Sequence, residues 1–329
     1  MMETHKFKVV GFEKEFERLK RMVKREDMPH AALFTGPEGI GKRMVAMELS
    51  RMILCLKEGE EGCDCPSCKA LMDMNHPDFY AVEPTAKGKS SPLIRIEEIG
   101  ELLNNISRLP LLSKSRVCLI DGADFMNEAA ANRLLKTLEE PTGDVKFFLI
   151  ASRRSKILPT VLSRSMPVSF PALPVETIEK LLVERGIEEE AAKEAARLSF
   201  GSMKQAIALA EGDGLLIEKE VREFLQKPLG FERIWTLSKE MAEFDRERLQ
   251  KWFAAVLLML RDILFYYEGA AELASSRDMT SFLNIYDRKR ALMLSMLTLE
   301  YEKRLTANVN FRLFMEGYLL KFRRIMEEK

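Results

Sequence analysis

The chain has 329 residues, with 51 Lys plus Arg against 51 Asp plus Glu and a hydrophobic share of 47%. These values exclude a disordered chain, and the even charge balance argues against a surface that grips nucleic acid by counterion release alone. The length exceeds what one ordinary core needs, so two or three domains are expected.

Residues 1–6 are polar and carry no secretory pattern. Residues 12–26 place apolar groups at helical spacing among charges and read as an exposed amphipathic helix. The short apolar run 31–34 then leads into a glycine-rich stretch, and residues 44–56 follow as a helix. Further apolar runs at 79–82, 117–120, 147–150 and 168–170 read as buried parallel strands, separated by helical stretches near 96–108 and 127–139. Strands alternating with helices imply an α/β sheet covered on both faces.

Pro171-Ala172-Leu173-Pro174 punctuates the chain as a domain edge. Beyond it, helices near 175–185, 188–198 and 202–211 form a small helical unit, and Gly212-Asp213-Gly214 is a second break. Everything after that is helical in pattern, with long segments near 246–268, 286–305 and 309–327. The most apolar run, Trp252 to Leu260, is broken at once by Arg261 and Asp262 and is too short to span a bilayer. A cytoplasmic protein without a membrane partner is expected.

The glycine-rich stretch is a phosphate-binding loop, G-x-x-x-x-G-K, with Gly36, Gly41 and Lys42 in place and Gly39 between them. In such a loop the glycines let backbone N–H groups close around phosphates, and the lysine neutralises their charge. The next position should carry a hydroxyl that ligates Mg²⁺, and here it is Arg43. A guanidinium cannot bind a cation and repels one. Val117 to Asp121 resembles a Walker B strand ending in the acid that would hold Mg²⁺ through water. The following residue, where a carboxylate would polarise the attacking water, is Gly122. Two parts of a hydrolytic site are therefore missing independently, and turnover should fall by orders of magnitude. The bland alternative is that Asp121 merely ends a buried strand.

Cys55, Cys63, Cys65 and Cys68 fall in a Cys-x7-Cys-x-Cys-x2-Cys pattern within a polar stretch. Four thiolates so close in a cytosolic protein fit a closed, structural Zn²⁺ site better than disulfides. The tight Cys-x-Cys leaves reduced or paired cysteines as the alternative. Cys118 lies in a strand and reads as core, and His76 in His76-Pro77-Asp78 as a structural group. Arg153, Arg154 and Lys156 form a short basic loop, a weak candidate for contact with a DNA backbone.

Taken together these residues resemble the bacterial clamp-loader AAA+ proteins. The resemblance rests on Gly36–Lys42, the cysteine insert 55–68, His76-Pro77-Asp78, Val117–Asp124, Asn132–Pro141, Ser163-Arg164 and Gly201–Lys204, and it runs from about residue 7 to 211. It implies an AAA+ P-loop domain with a parallel sheet (1–170), a small helical lid domain (171–212) and an all-α collar domain (213–329). It also implies a place in the DNA polymerase III holoenzyme. Partners would be γ/τ and δ subunits and, through the complex, the sliding clamp and primer-template DNA.

Within that family the degraded site resembles the subunit that does not hydrolyse ATP. Gly36, Gly39, Gly41, Lys42, Asp121 and Lys204 would then form a degenerate nucleotide site, in which binding of ATP or ADP is doubtful. Lys204 stands where the family has its sensor 2 arginine, keeping the charge without the planar fork. Arg164 stands in place of the family's arginine finger and would act in trans on a neighbour's ATP. An ATP-hydrolysing γ/τ-type subunit is the alternative, with Asp124 or Glu128 replacing the missing acid.

Overall fold

The computed structural model describes residues 7, 9–57, 59–86, 92–141, 143–274, 279–305 and 310–328. The polar start at 1–6, read above for a targeting signal, lies outside them. Two compact units are formed: residues 1–177 with 201–204, and residues 178–200 with 205–329.

The first unit contains β1 (Ala31–Thr35), β2 (Phe79–Val82), β3 (Arg116–Asp121), β4 (Val145–Ala151) and β5 (Met166–Ser169). Around them lie α1 (Glu13–Lys24), α2 (Lys42–Leu54), α3 (Pro66–Met72), α4 (Ile96–Ile106), α5 (Glu128–Glu139) and the short α6 (Pro159–Leu162). The strands form one sheet in the order β2-β3-β4-β1-β5, and every neighbouring pair is parallel. Strands β1, β3 and β4 are buried almost throughout, which is why they read as unbroken apolar runs. One packed cluster joins Leu33, Cys118, Ile120, Phe147 and Leu149 to Ile99 and Leu102 of α4 and Leu134 and Leu138 of α5. Phe34 contacts Phe148 and Phe170, and Phe170 meets Phe12 edge-on.

Register fixes where the chemistry sits. Asp121 of β3 pairs with Ile150 of β4, and Ile150 pairs with Phe34 of β1. The loop after β1 and the acid ending β3 therefore open on the same carboxyl edge of the sheet, where ligands of open parallel sheets bind.

The second unit is helical, with the later part of α7 (Val175–Glu184), α8 (Glu189–Leu198), most of α9 (Met203–Glu211), α10 (Gly214–Gln226), α11 (Phe231–Met241), α12 (Arg246–Tyr267), α13 (Thr280–Leu283), α14 (Arg288–Arg304) and α15 (Phe311–Glu327). Its core is aromatic: Trp252 packs edge-on against Phe224, Phe253 and Tyr318. The Tyr318 and Thr298 hydroxyls hydrogen-bond each other at 3.0 Å within it. Among the described residues no helix is long and apolar enough to cross a membrane.

Candidate functional site

The loop between β1 and α2 takes backbone angles that only glycine adopts freely. Gly36, Gly39 and Gly41 have φ of +149°, +74° and +105°. A Cβ on Gly36 would lie 2.2 Å from the Phe170 carbonyl oxygen, and one on Gly39 would lie 2.5 Å from Lys204 Cβ. Helix α2 begins at once at Lys42, so the loop has the form of a phosphate cradle. Lys42 is buried and donates its Nζ to the Gly36 carbonyl at 2.7 Å and to that of Pro37. Burial lowers its pKa, and the acids Asp121, Asp124 and Glu38 offset this in part.

Arg43, one residue further, turns to the end of β3. Its Nη1 donates to Asp121 Oδ2 at 3.0 Å and to Glu83 Oε1 just beyond β2. Burial alone would depress the guanidinium, but the two carboxylates outweigh it and raise its pKa. Arginine thus does more than omit the hydroxyl that a metal needs. It supplies an internal cation to the acid that would have held the metal.

The residue after Asp121 is constrained as well. Gly122 has φ of +88°, and a Cβ there would lie 2.7 Å from Pro84 Cγ. Asp124, considered above as a substitute acid, is buried and engaged: it accepts from the Ser152 and Arg153 amides at 3.2 and 3.3 Å and from Arg153 Nε at 3.3 Å. It holds the turn after β4, with its side chain 1% exposed. Glu128 is exposed at the start of α5.

Lys204 reaches the same loop. Its amide donates to the Gly39 carbonyl at 3.0 Å, and its Nζ pairs with Glu38 at 2.8 Å. The structure therefore brings Gly36, Gly39, Gly41, Lys42, Asp121 and Lys204 to one place, each cation already facing a carbonyl or a carboxylate of the chain.

Arg164 follows the short α6. Its Nε donates to Glu139 Oε1 at 2.6 Å, and its Nη1 donates to the Thr160 carbonyl at 3.0 Å and to Ser163 Oγ at 3.2 Å. None of these partners belongs to the phosphate loop. The guanidinium is oriented at the surface by Glu139, the last residue of α5. Of the basic loop, Arg153 is paired with Asp124 and lies over the Phe125 ring at 5.2 Å, and Arg153, Arg154 and Lys156 are all exposed.

The four cysteines converge. Their sulfurs all lie within 4.8 Å of one another, with Cys55 3.6 Å from Cys63 and 3.9 Å from Cys65. A tetrahedral ion with Zn–S bonds of about 2.3 Å places its sulfurs about 3.8 Å apart, so the donor set fits that metal. Burial would raise the Cys65 thiol, but amide N–H groups of Cys68 and Leu56 bring it down to about 7. Cys118 lies apart, fully buried in β3.

His76 is packed beside this segment. Its Nδ1 accepts from the Asp78 amide at 3.0 Å, so in the neutral ring Nε2 carries the proton and faces Ser67 Oγ at 2.8 Å. Ser67 and Ser113 each donate to the Leu54 carbonyl at 2.6 Å, closing the end of α2. Asp78 accepts from the amides of Leu111, Leu112 and Ser113. The His-Pro-Asp motif thus ties the cysteine segment to the sheet. Glu139 lies inside the Asn132–Pro141 stretch and Glu83 just beyond the β2 run, but nothing in the order of residues marks either as the partner of an arginine.

Known proteins resemble the chain along nearly its whole length. A family model described as DNA polymerase III, delta subunit matches residues 11–174. The DNA polymerase III subunit delta′ of Bacillus subtilis is 28% identical over 312 residues, covering 92% of this chain and 93% of that protein. The corresponding subunit of Pseudomonas aeruginosa is 31% identical over 312 residues, covering 91% and 93%. Among solved structures, a DNA polymerase III γ subunit-related protein from Thermotoga maritima aligns with a TM-score of 0.48 at 19% identity, covering 95% of this chain and 100% of that one.

Proposed function

The chain belongs to the DNA polymerase III delta′ subunit family, a family of clamp-loader subunits, and from that premise we propose that it serves the loader without hydrolysing ATP itself. The observation that carries this reading is the pairing of Arg43 with Asp121. Phosphoryl transfer depends on positioned Mg²⁺ and a positioned water. Here the metal-holding acid faces a fixed cation, and the residue beside it is a crowded glycine.

Arg164 contributes the catalysis. The P-loop unit presents its guanidinium to ATP held by an adjacent γ/τ subunit, where it stabilises charge developing on the γ-phosphate. Its present partners support this role: Glu139, Thr160 and Ser163 fix the side chain at the surface. The four cysteines hold a Zn²⁺ whose contribution is structural, closing the segment between α2 and β2. Residues 171–212 act as a lid and 213–329 as the collar that packs with γ/τ and δ subunits. The assembled ring works in the cytoplasm on the sliding clamp and primer-template DNA.

The test is a reconstituted loader carrying Arg164→Ala. ATP turnover on primed DNA is expected to fall on the order of 10³-fold, the scale of a trans-acting arginine. Unchanged turnover would end the finger role. The γ/τ-type alternative keeps one point in its favour, the intact Lys42 and Asp121. It requires ATP turnover by the isolated chain that disappears in Lys42→Ala, whereas the reading preferred here requires none.

A further inference from the structure

Helix α2 carries the phosphate loop at its start and the first cysteine just past its end. Between them, Glu48 and Arg51 lie one turn apart, and Arg51 is 7% exposed. Its guanidinium is fully committed. Nε and Nη2 donate to the two Glu48 carboxylate oxygens at 2.9 and 2.7 Å. Nη2 also donates to the Gly59 carbonyl at 3.3 Å, and Nη1 to the Glu60 carbonyl at 3.0 Å. The remaining contact is with a ligand candidate: Nη1 donates to Cys68 Sγ at 3.6 Å.

We propose that Arg51, oriented by Glu48, is the positioning residue of the cysteine metal site, holding the Cys68 sulfur and the backbone at 59–60 in place for the ion. The proposal rests on the Zn²⁺ reading above. Four thiolates around one Zn²⁺ leave about two net negative charges on the site. Cys68 is 2% exposed, so water offers its sulfur little compensation. A buried cation donating to that sulfur supplies it. Glu48 stands to Arg51 as a carboxylate stands to a metal-bound histidine elsewhere, fixing which N–H points at the ligand. The same guanidinium grips two carbonyls of the loop between Cys55 and Cys63, so it also sets the loop path that brings Cys63 and Cys65 to Cys55. Lysine could match the charge but not this fork of donors.

The experiment uses the full chain, purified with Zn²⁺ and measured for metal content, then challenged with a coloured chelator. Arg51→Met is expected to release Zn²⁺ about 10–100-fold faster than the wild type, the usual cost of losing a partner behind a metal ligand. Arg51→Lys should fall between them, and it carries the test alone if Arg51→Met does not fold. Ser113→Ala is the control, because it loosens the same end of α2 without touching a sulfur. With Co²⁺ in place of Zn²⁺, the thiolate-to-cobalt charge-transfer band is expected to shift in the Arg51 variants and not in Ser113→Ala. Equal release rates and unshifted bands in the Arg51 variants, or equal acceleration in Ser113→Ala, overturn the proposal while leaving the metal reading intact. A wild-type chain that takes up no metal overturns both.

Discussion

Arg43 donates to Asp121 across 3.0 Å, so the acid that closes β3 faces an arginine of its own chain at the mouth of the phosphate loop. A second carboxylate, Glu83, shares the same Nη1. A divalent ion placed at Asp121 would have to displace this guanidinium or sit beside it. Both options cost free energy, since like charges a few ångströms apart repel even where water screens them.

Replacing the arginine should therefore reverse the defect in part. Arg43→Thr supplies the missing hydroxyl and frees Asp121. Binding of a fluorescent ATP analogue is expected to become Mg²⁺-dependent, about tenfold tighter with Mg²⁺ than with a chelator, a difference of about 1.4 kcal/mol. The wild type should show no such dependence. A titration of the variant that is indifferent to Mg²⁺ would show that Arg43 is not what excludes the ion.

Turnover should not return with binding, because the neighbouring position is closed to side chains. Gly122→Glu puts a Cβ at a φ of +88° and 2.7 Å from Pro84 Cγ. It is expected to lower stability by about 1–3 kcal/mol in urea unfolding, the scale of a strained backbone position. An unchanged unfolding midpoint would mean that the segment at Pro84 yields readily.

The His76 network makes stability depend on pH. Burial lowers the His76 pKa, with Asp78 partly opposing it. The unfolded chain therefore takes up this proton near 6.5 while the folded chain still resists it. The contribution is present above that value and is lost as pH falls through it toward the lower folded-state value. Urea midpoints at about pH 7.5 and about pH 5.5 should differ more in the wild type than in His76→Gln, which cannot titrate. Equal slopes in the two proteins would remove His76 as the cause.

Metal removal should loosen one segment and spare the sheet. Stripping the chain with a chelator is expected to lower its thermal midpoint by roughly 4–8 °C, the shift that about 2 kcal/mol produces in a unit of this size. Protease cleavage should appear first between Cys55 and Cys68. Cleavage that begins elsewhere, with 55–68 still protected, would show that the metal does not hold this stretch.

Much of the fold was legible in the order of residues. The unbroken apolar runs at 31–34, 117–120 and 147–150 mark strands buried on both faces, and the structure places them side by side in a parallel sheet. The Gly-x-x-x-x-Gly-Lys spacing and the four cysteines announce themselves, because their geometry is local: backbone angles in one, a few residues of loop in the other. The short α3, which starts inside the cysteine segment and ends at Met72, carries too few residues to show a period.

What the order of residues determined by itself is the inventory: a cradle, an acid, a cysteine cluster, a helical second half, and an arginine where a hydroxyl belongs. What only the tertiary structure decided is which charges meet. Arg43 and Asp121 are 78 residues apart, Arg164 and Glu139 are 25 apart, and Lys204 and Glu38 are 166 apart. Helical and strand periods describe which face of an element is buried and carry no record of which strand lies next to which. Ion pairs between elements depend on that sheet order and on register, so the neutralised state of the phosphate loop exists only once the chain has folded.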